Sequence, residues 1–268
     1  MRTLICLVVL LIVNTLLNAS TPEWLMNTYS RSMGHILSVD NAIANPSNLS
    51  FQDQSSINIS YSNDYLCKEL SSLQVAFLMP NKVIDCSALM TYYGYSNYNE
   101  MHCGLSVSKL LVGNFSLGVR LFYYRLDYVG NEDVINRVSA DIGLTFRIVD
   151  NLDMSMLLTN PIRVGYSSDL SKYYLPIYMA LGLNYTPTDK LKVQAEVAKD
   201  TNYPIEGKLA ISYRPIDIFD IRVGVCSSPF IPTLGVGLKI ENFNIDIASS
   251  YHPQLGFSPS VGIVYIFK

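Results

Sequence analysis

Between Val138 and Ile148 every second residue is apolar: Val138, Ala140, Ile142, Leu144, Phe146 and Ile148. The residues between them, Ser139, Asp141, Gly143, Thr145 and Arg147, are polar or small. This is the period of a β-strand with two chemically different faces. The same split recurs to the end of the chain, with turn residues at short intervals. Two architectures satisfy it. A soluble sandwich packs two apolar faces together, whereas a membrane barrel turns the apolar face to lipid and the polar face to its lumen.

Strand length separates the two. Phe115, Leu117, Val119, Leu121 and Tyr123 share one face, opposite Ser116, Gly118 and Arg120. Leu191, Val193, Ala195 and Val197 likewise alternate with Lys192, Gln194 and Glu196. Segments of this kind often reach about nine residues or more, as tilted membrane strands must, while sandwich strands average about 5–6. From about Ser55 onward some fourteen such segments can be marked, an even number as in bacterial barrels. The chain is 49% hydrophobic and 15% charged, against about a quarter charged in typical soluble domains. Beyond the N-terminus no apolar run is long enough for a membrane helix, so the hydrophobicity resides in alternating strands. Nineteen tyrosines against one tryptophan suit strands and the interfacial girdles of barrels. The fold class is therefore all-β: a transmembrane antiparallel β-barrel of about fourteen strands with a short N-terminal plug-like segment.

The ends agree with export. Arg2 precedes an apolar run from Leu4 to Leu17, and Leu17-Asn18-Ala19 has the form of a cleavage site, the layout of a secretory signal peptide. The chain divides into a signal peptide (1–19), a plug segment on the periplasmic side (20–54) and the barrel (55–268). Cys6 lies too early for a lipoprotein cysteine. Cys67, Cys86, Cys103 and Cys226 match no metal spacing, and no disulfide is assigned.

Arg120, Asp141, Arg147, Lys192, Glu196, Arg222 and Asp246 fall on the face opposite the apolar one, as do Asp153, Lys208, Asp220 and Lys239. Charges of both signs in a narrow lumen neutralise one another, whereas a selective channel uses a ring of one sign. A filled or plugged barrel is expected. The chain closes on an alternating strand carrying Tyr265 and Phe267, which resembles the aromatic C-terminal signal read by barrel assembly machinery, here followed by Lys268.

Residues Ser20 to Phe51 do not alternate. They contain Arg31, Met33-Gly34, Asp40, and Asn45-Pro46 ahead of Leu49. Pro46 pushes Asn45 out of the helical region and sets a turn. An Arg-x-Met-Gly run, an acidic residue and Asn-Pro-x-x-Leu just before the first strand are similar to the N-terminus of FadL-type outer-membrane barrels. That superfamily includes hydrophobic-substrate transporters and the PorV-like barrels of the Bacteroidetes type IX secretion system, and this chain resembles a small Bacteroidetes-like member. The resemblance implies fourteen strands and a plug seated through Arg31, Met33, Gly34, Asp40, Asn45, Pro46 and Leu49. It also implies either passive transport of a hydrophobic small molecule or an accessory role in secretion or surface assembly.

His35, His102 and His252 have no metal-ligand spacing, and neither a Gly-x-Ser-x-Gly elbow nor a phosphate-binding loop occurs. No catalysis, cofactor or metal is expected, and His102 reads as a solvated or interfacial residue. A net charge of −3 without a basic patch argues against nucleic acid. The implied partners are outer-membrane lipid, the barrel assembly machinery, and a hydrophobic ligand or a secretion-system protein. The implied place is the outer membrane of a Gram-negative bacterium. Two alternatives stay open: a secreted soluble β-sandwich interaction protein, and a small barrel enzyme with a rim nucleophile near His102, Ser106 and Ser108.

Overall fold

The computed structural model describes residues 22–129, 134–168 and 171–267; the segment expected to be a signal peptide (1–19) lies outside them. The first half of the barrel comprises β1 (Ser56–Asn63), β2 (Ser71–Met79), β3 (Asp85–Tyr95), β4 (Tyr98–Val112), β5 (Phe115–Tyr128), β6 (Ile135–Val149) and β7 (Leu152–Thr159). A small hairpin follows, β8 (Gly165–Ser168) with β9 (Ser171–Tyr174), and stands apart from the barrel sheet. The second half is β10 (Tyr178–Thr188), β11 (Leu191–Asp200), β12 (Ile205–Ile216), β13 (Phe219–Ser227), β14 (Phe230–Ile240), β15 (Phe243–His252) and β16 (Gly256–Ile266). These fourteen strands form a closed antiparallel barrel. The seam between β1 and β16 is paired from Ser56–Ile266 to Ser62–Ser260.

Closure leaves no edge with unpaired backbone groups, which is what hydrocarbon requires. The outer face is correspondingly apolar: Val75, Phe77, Leu105, Leu121, Ile142 and Leu181 are all exposed there. Among the described residues no helix is long and apolar enough to cross a membrane. The inner face buries Ser60, Gln74, Thr91, Ser116, Ser139 and Ser155. At the terminal end, where β1 starts and β16 finishes, adjoining strands are joined by tight turns such as 113–114, 150–151 and 241–242. Register shifts sit beside several turns at this end, between Leu110 and Val112 and between Arg147 and Val149, as bulges at barrel rims do.

Two expectations are corrected. The stretch from Asn160 to about Tyr174, which the Asn160-Pro161 turn marks in the sequence as a longer loop, contains the β8–β9 hairpin. The lumen is also not simply polar, because Leu78, Leu89, Phe122, Leu157 and Tyr178 are buried inside it. Where apolar residues are consecutive, as in Phe122-Tyr123-Tyr124 or Leu157-Leu158, a period of two cannot say which one points inward.

Residues from Trp24 to Leu49 occupy the lumen, most of them buried against the strands, and the chain then emerges through exposed Gln52, Asp53 and Gln54 to β1. Glu23–Leu25 and Pro46–Phe51 are single 3₁₀ turns and α1 spans only Thr28–Ser32. Asn27 caps α1 by accepting the Ser30 N–H at 2.9 Å, and Asn45 caps the second turn through Ser47 N–H at 3.1 Å. Helices this short are unstable in isolation, so burial against the wall must hold the plug in shape. Leu25, Met26, Leu37, Ile43 and Leu49 pack with Ala76, Leu78, Leu89, Leu157 and Tyr178 of the strands into one apolar core. A barrel filled this way is a folded domain turned inside out: apolar outside, with a second apolar core around the plug.

Candidate functional site: the plugged lumen and its two cavities

The plug approaches the wall so closely that side chains are excluded at the contact. A Cβ on Gly118 would lie 2.4 Å from Ser47 N and 2.5 Å from the Pro46 carbonyl carbon. One on Gly224 would lie 2.3 Å from Gly34 N. Both obstacles are backbone and cannot swing aside. Sequence alternation passes over these positions, since an inward glycine looks merely small.

Each residue of the Arg-Met-Gly…Asn-Pro motif has a defined contact. Arg31, on α1, donates to Glu23 at 2.7 Å and to Asp64 beyond β1 at 2.8 Å. Met33 is fully buried against Ile36, Val39 and Ala210. Gly34 has φ +63° and donates to Thr233 Oγ1 at 3.0 Å. Asp40 accepts the Tyr29 hydroxyl at 2.9 Å and is paired with Lys192. Asn45 Nδ2 donates to Ser38 O at 2.7 Å and to Met156 O at 3.2 Å. Pro46 opens the 3₁₀ turn against Gly118, and Leu49 is fully buried in the apolar core.

The lumenal charges fall into local pairs and not into one ring. Strand register places Arg120 directly opposite Asp141, Glu196 opposite Lys208, and Arg147 opposite Asp153. Arg120 Nε donates to Asp141 at 2.9 Å while its Nη1 reaches the Ile43 carbonyl of the plug at 2.6 Å. Arg147 meets Asp153 at 3.2 Å and lies over the Phe51 ring at 4.5 Å. Arg222 pairs with Asp246 at 2.7 Å, and with Asp220. Glu196 is the most heavily used anchor. Its carboxylate accepts Leu37 N–H at 2.9 Å, Ser38 N–H at 2.7 Å and Ser38 Oγ–H at 2.6 Å from the plug, and Lys208 at 3.0 Å from the wall. Tyr265 and Phe267 stand together at the terminal end, their rings 5.1 Å apart, with Phe243 and Phe77 beside them.

His102 is not a solvated residue. It is buried on the inner face of β4, its ring 4.7 Å from Trp24 at an interplanar angle of 4° and 4.7 Å from Tyr124. The Trp24 carbonyl accepts Gln74 Nε2 and Thr91 Oγ1, each at 3.0 Å, fixing the start of the plug to the wall. Sequence alone could not bring Trp24, His102 and Phe122 together, because they come from three separate segments.

Among the described residues two large cavities flank the plug. Toward the far end lies one of about 380 Å³ lined by Trp24, Tyr93, His102, Phe122, Tyr124 and Leu175, among others. Toward the terminal end is a polar vestibule of about 480 Å³ bordered by Asp40, Gln54, Lys192, Arg222, Lys239 and Asp246, among others. Between these ends Leu37 and Leu49 are fully buried.

His35 gives the plug a pH dependence. Burial, with Arg31 and Lys208 nearby, pushes His35 from its ordinary 6.5 down to about 3. A released plug therefore takes up a proton below about pH 6.5 that the seated plug refuses until about pH 3. Seating is unpenalised above that window and weakens as pH falls through it. Glu23, whose carboxyl burial raises to about 7, titrates in the opposite sense, so the His35 share is read by difference. Between pH 7.5 and pH 5, hydrogen exchange over residues 28–40, corrected for intrinsic rate, should rise less, or fall more, in His35→Gln than in the unmodified protein. An equal pH response in the variant would refute the assignment.

A fourteen-stranded barrel with its N-terminal segment folded into the lumen is the architecture of the FadL-type outer-membrane barrels, and this chain has that fold. A FadL homologue of Pseudomonas aeruginosa superposes with TM-score 0.67 at 12% identity, over 93% of this chain and 100% of its own. The toluene transporter TodX of Pseudomonas putida superposes with TM-score 0.65 at 13% identity, over 92% and 99%. The monoaromatic hydrocarbon channel CymD does so with TM-score 0.64 at 10% identity, over 90% and 97%. No protein-family model and no curated protein sequence matches the chain.

Proposed function

We propose that this protein is a passive conduit for small hydrophobic molecules across the outer membrane of a Gram-negative bacterium. The carrying observation is the aromatic-lined cavity at the far end, set directly against a lumenal plug whose other side opens on a vestibule. Such a cavity captures an apolar molecule by removing its surface from water, at about 25 cal/mol per Å². The wall is paired all round, the seam included, which supports passage along the axis past a displaced plug. The terminal end then faces the periplasm, since an even number of strands returns both ends of the barrel domain to one side. Similarity in fold to a toluene transporter and a monoaromatic hydrocarbon channel supports the same reading.

Displacing the plug without altering the lipid-facing surface tests it. Gly118→Val places methyl groups where the Pro46–Ser47 backbone lies, and should unseat the segment while β5 keeps its pairing. In planar bilayers the variant should conduct ions where the unmodified protein stays closed. In Gram-negative cells the unmodified protein should speed uptake of the hydrophobic dye N-phenyl-1-naphthylamine. Dye uptake equal to that of cells lacking the chain would refute the conduit. Detergent extraction with a stoichiometric large protein would instead favour the accessory role in secretion or surface assembly.

A further inference from the structure

The far-end cavity carries more information than its apolarity. Trp24, Tyr93, Phe122 and Tyr124 line it, and so do the carboxylates of Glu23, Glu100 and Asp200, while among the described residues no lysine or arginine lines it. Glu23 is satisfied by Arg31 at 2.7 Å. The other two carboxylates lack a strong cationic partner. Glu100 accepts the Tyr98 hydroxyl and lies 3.6 Å from His102 Nε2. Asp200, buried at the end of β11, accepts the Asn202 N–H at 2.7 Å and forms no ion pair among the described residues. Arg31 is committed to Glu23 and Asp64, and Arg120, 5.7 Å from the Trp24 ring, is committed to Asp141 and the Ile43 carbonyl. His102, buried and lining the same cavity, leaves its Nδ1 without a hydrogen-bond partner.

Electron-rich rings and incompletely neutralised carboxylates around a partly dry space attract positive charge and repel negative charge. Ring quadrupoles present their negative face to a cation, an interaction worth more as the site is desolvated. Greasy walls at the same time favour alkyl or aryl substituents over a strongly hydrated metal ion or ammonium. We propose that the far-end cavity selects organic cations, an ammonium centre carrying apolar substituents, and rejects molecules of the same size that carry a carboxylate. This deepens the conduit reading, on which it rests, by assigning the charge class of the molecule admitted. It needs no step beyond binding.

Trp24 is the sole tryptophan of the chain, so its emission reports directly on this cavity. The unmodified protein in lipid nanodiscs would be titrated with benzyltrimethylammonium, with its uncharged carbon isostere neopentylbenzene referred to free aqueous concentration, and with 3-phenylpropanoate. Benzyltrimethylammonium should change the emission with a Kd at least tenfold tighter than the isostere, and 3-phenylpropanoate should leave it unchanged. The double variant Glu100→Gln with Asp200→Asn should shrink the cation preference to under threefold. Equal or tighter binding of the isostere, or any saturable response to 3-phenylpropanoate, overturns the charge selection and leaves the conduit standing. Silence of Trp24 toward all three, together with dye uptake no faster than in cells lacking the chain, overturns both.

Discussion

Glu196→Ala should lower folding stability by about 3–5 kcal/mol, the cost of stranding one member of a buried ion pair, and should release the plug from the wall. Glu196 and Lys208 are both sealed from solvent and sit opposite each other on β11 and β12. Removing the carboxylate strands the Lys208 ammonium, whose remaining contacts are the His35 carbonyl at 2.9 Å, the Tyr178 hydroxyl at 3.0 Å and Glu206 at 3.6 Å. Three donors of the plug, on Leu37 and Ser38, lose their acceptor at the same time. Unsatisfied buried donors each cost about 1–3 kcal/mol unless water reaches them, and admitting water means unseating this part of the plug. Two readouts follow: a lower urea midpoint by Trp24 fluorescence, and faster hydrogen exchange over residues 35–40. The double change Glu196→Leu with Lys208→Met removes the stranded ammonium but does not restore the acceptor lost by Leu37 and Ser38, so it should recover only part of the stability while exchange over residues 35–40 stays fast. A loss below about 1 kcal/mol for Glu196→Ala would mean that the pair is hydrated and the plug is held elsewhere.

The second large effect belongs to the outer face. Ile142 is 37% exposed near the middle of β6, flanked by Val119 on β5 and Leu158 on β7. Arginine there should cost about 2–4 kcal/mol, the range for a cation at the bilayer midplane on a barrel's lipid face. Ile148→Arg lies on the same face beside the turn at 150–151, and should cost about 0–1 kcal/mol, as expected near the interface. The contrast between these positions is the signature of a bilayer. A soluble sandwich would accept arginine at both exposed positions alike. Urea unfolding in phospholipid vesicles measures both, and equal small costs would remove the membrane from the account.

Much of this was written in local pattern. Alternation from Val138 to Ile148 assigned an outward and an inward face, and the strand count of about fourteen matches the closed barrel. Both depend on the period of a single strand, which neighbouring residues specify by themselves. The segment around Arg31, Met33, Gly34, Asp40 and Asn45-Pro46 stood out as non-strand for the same reason. Its path did not, because a chain with only five helical residues in α1 takes its course from the cavity that receives it. His102 was misread because stacking on Trp24 and Tyr124 joins residues far apart in sequence.

The sequence by itself determined that most barrel strands carry one continuous apolar face and that charges of both signs fall on the opposite face, since side-chain alternation is a property of each strand alone. Only the tertiary structure decided which charges meet, where glycine lets the plug touch the wall, and that rings and carboxylates from distant strands surround one cavity. Those outcomes depend on strand register and on the route of residues 24–49 through a closed barrel. Neither is encoded within reach of any single segment.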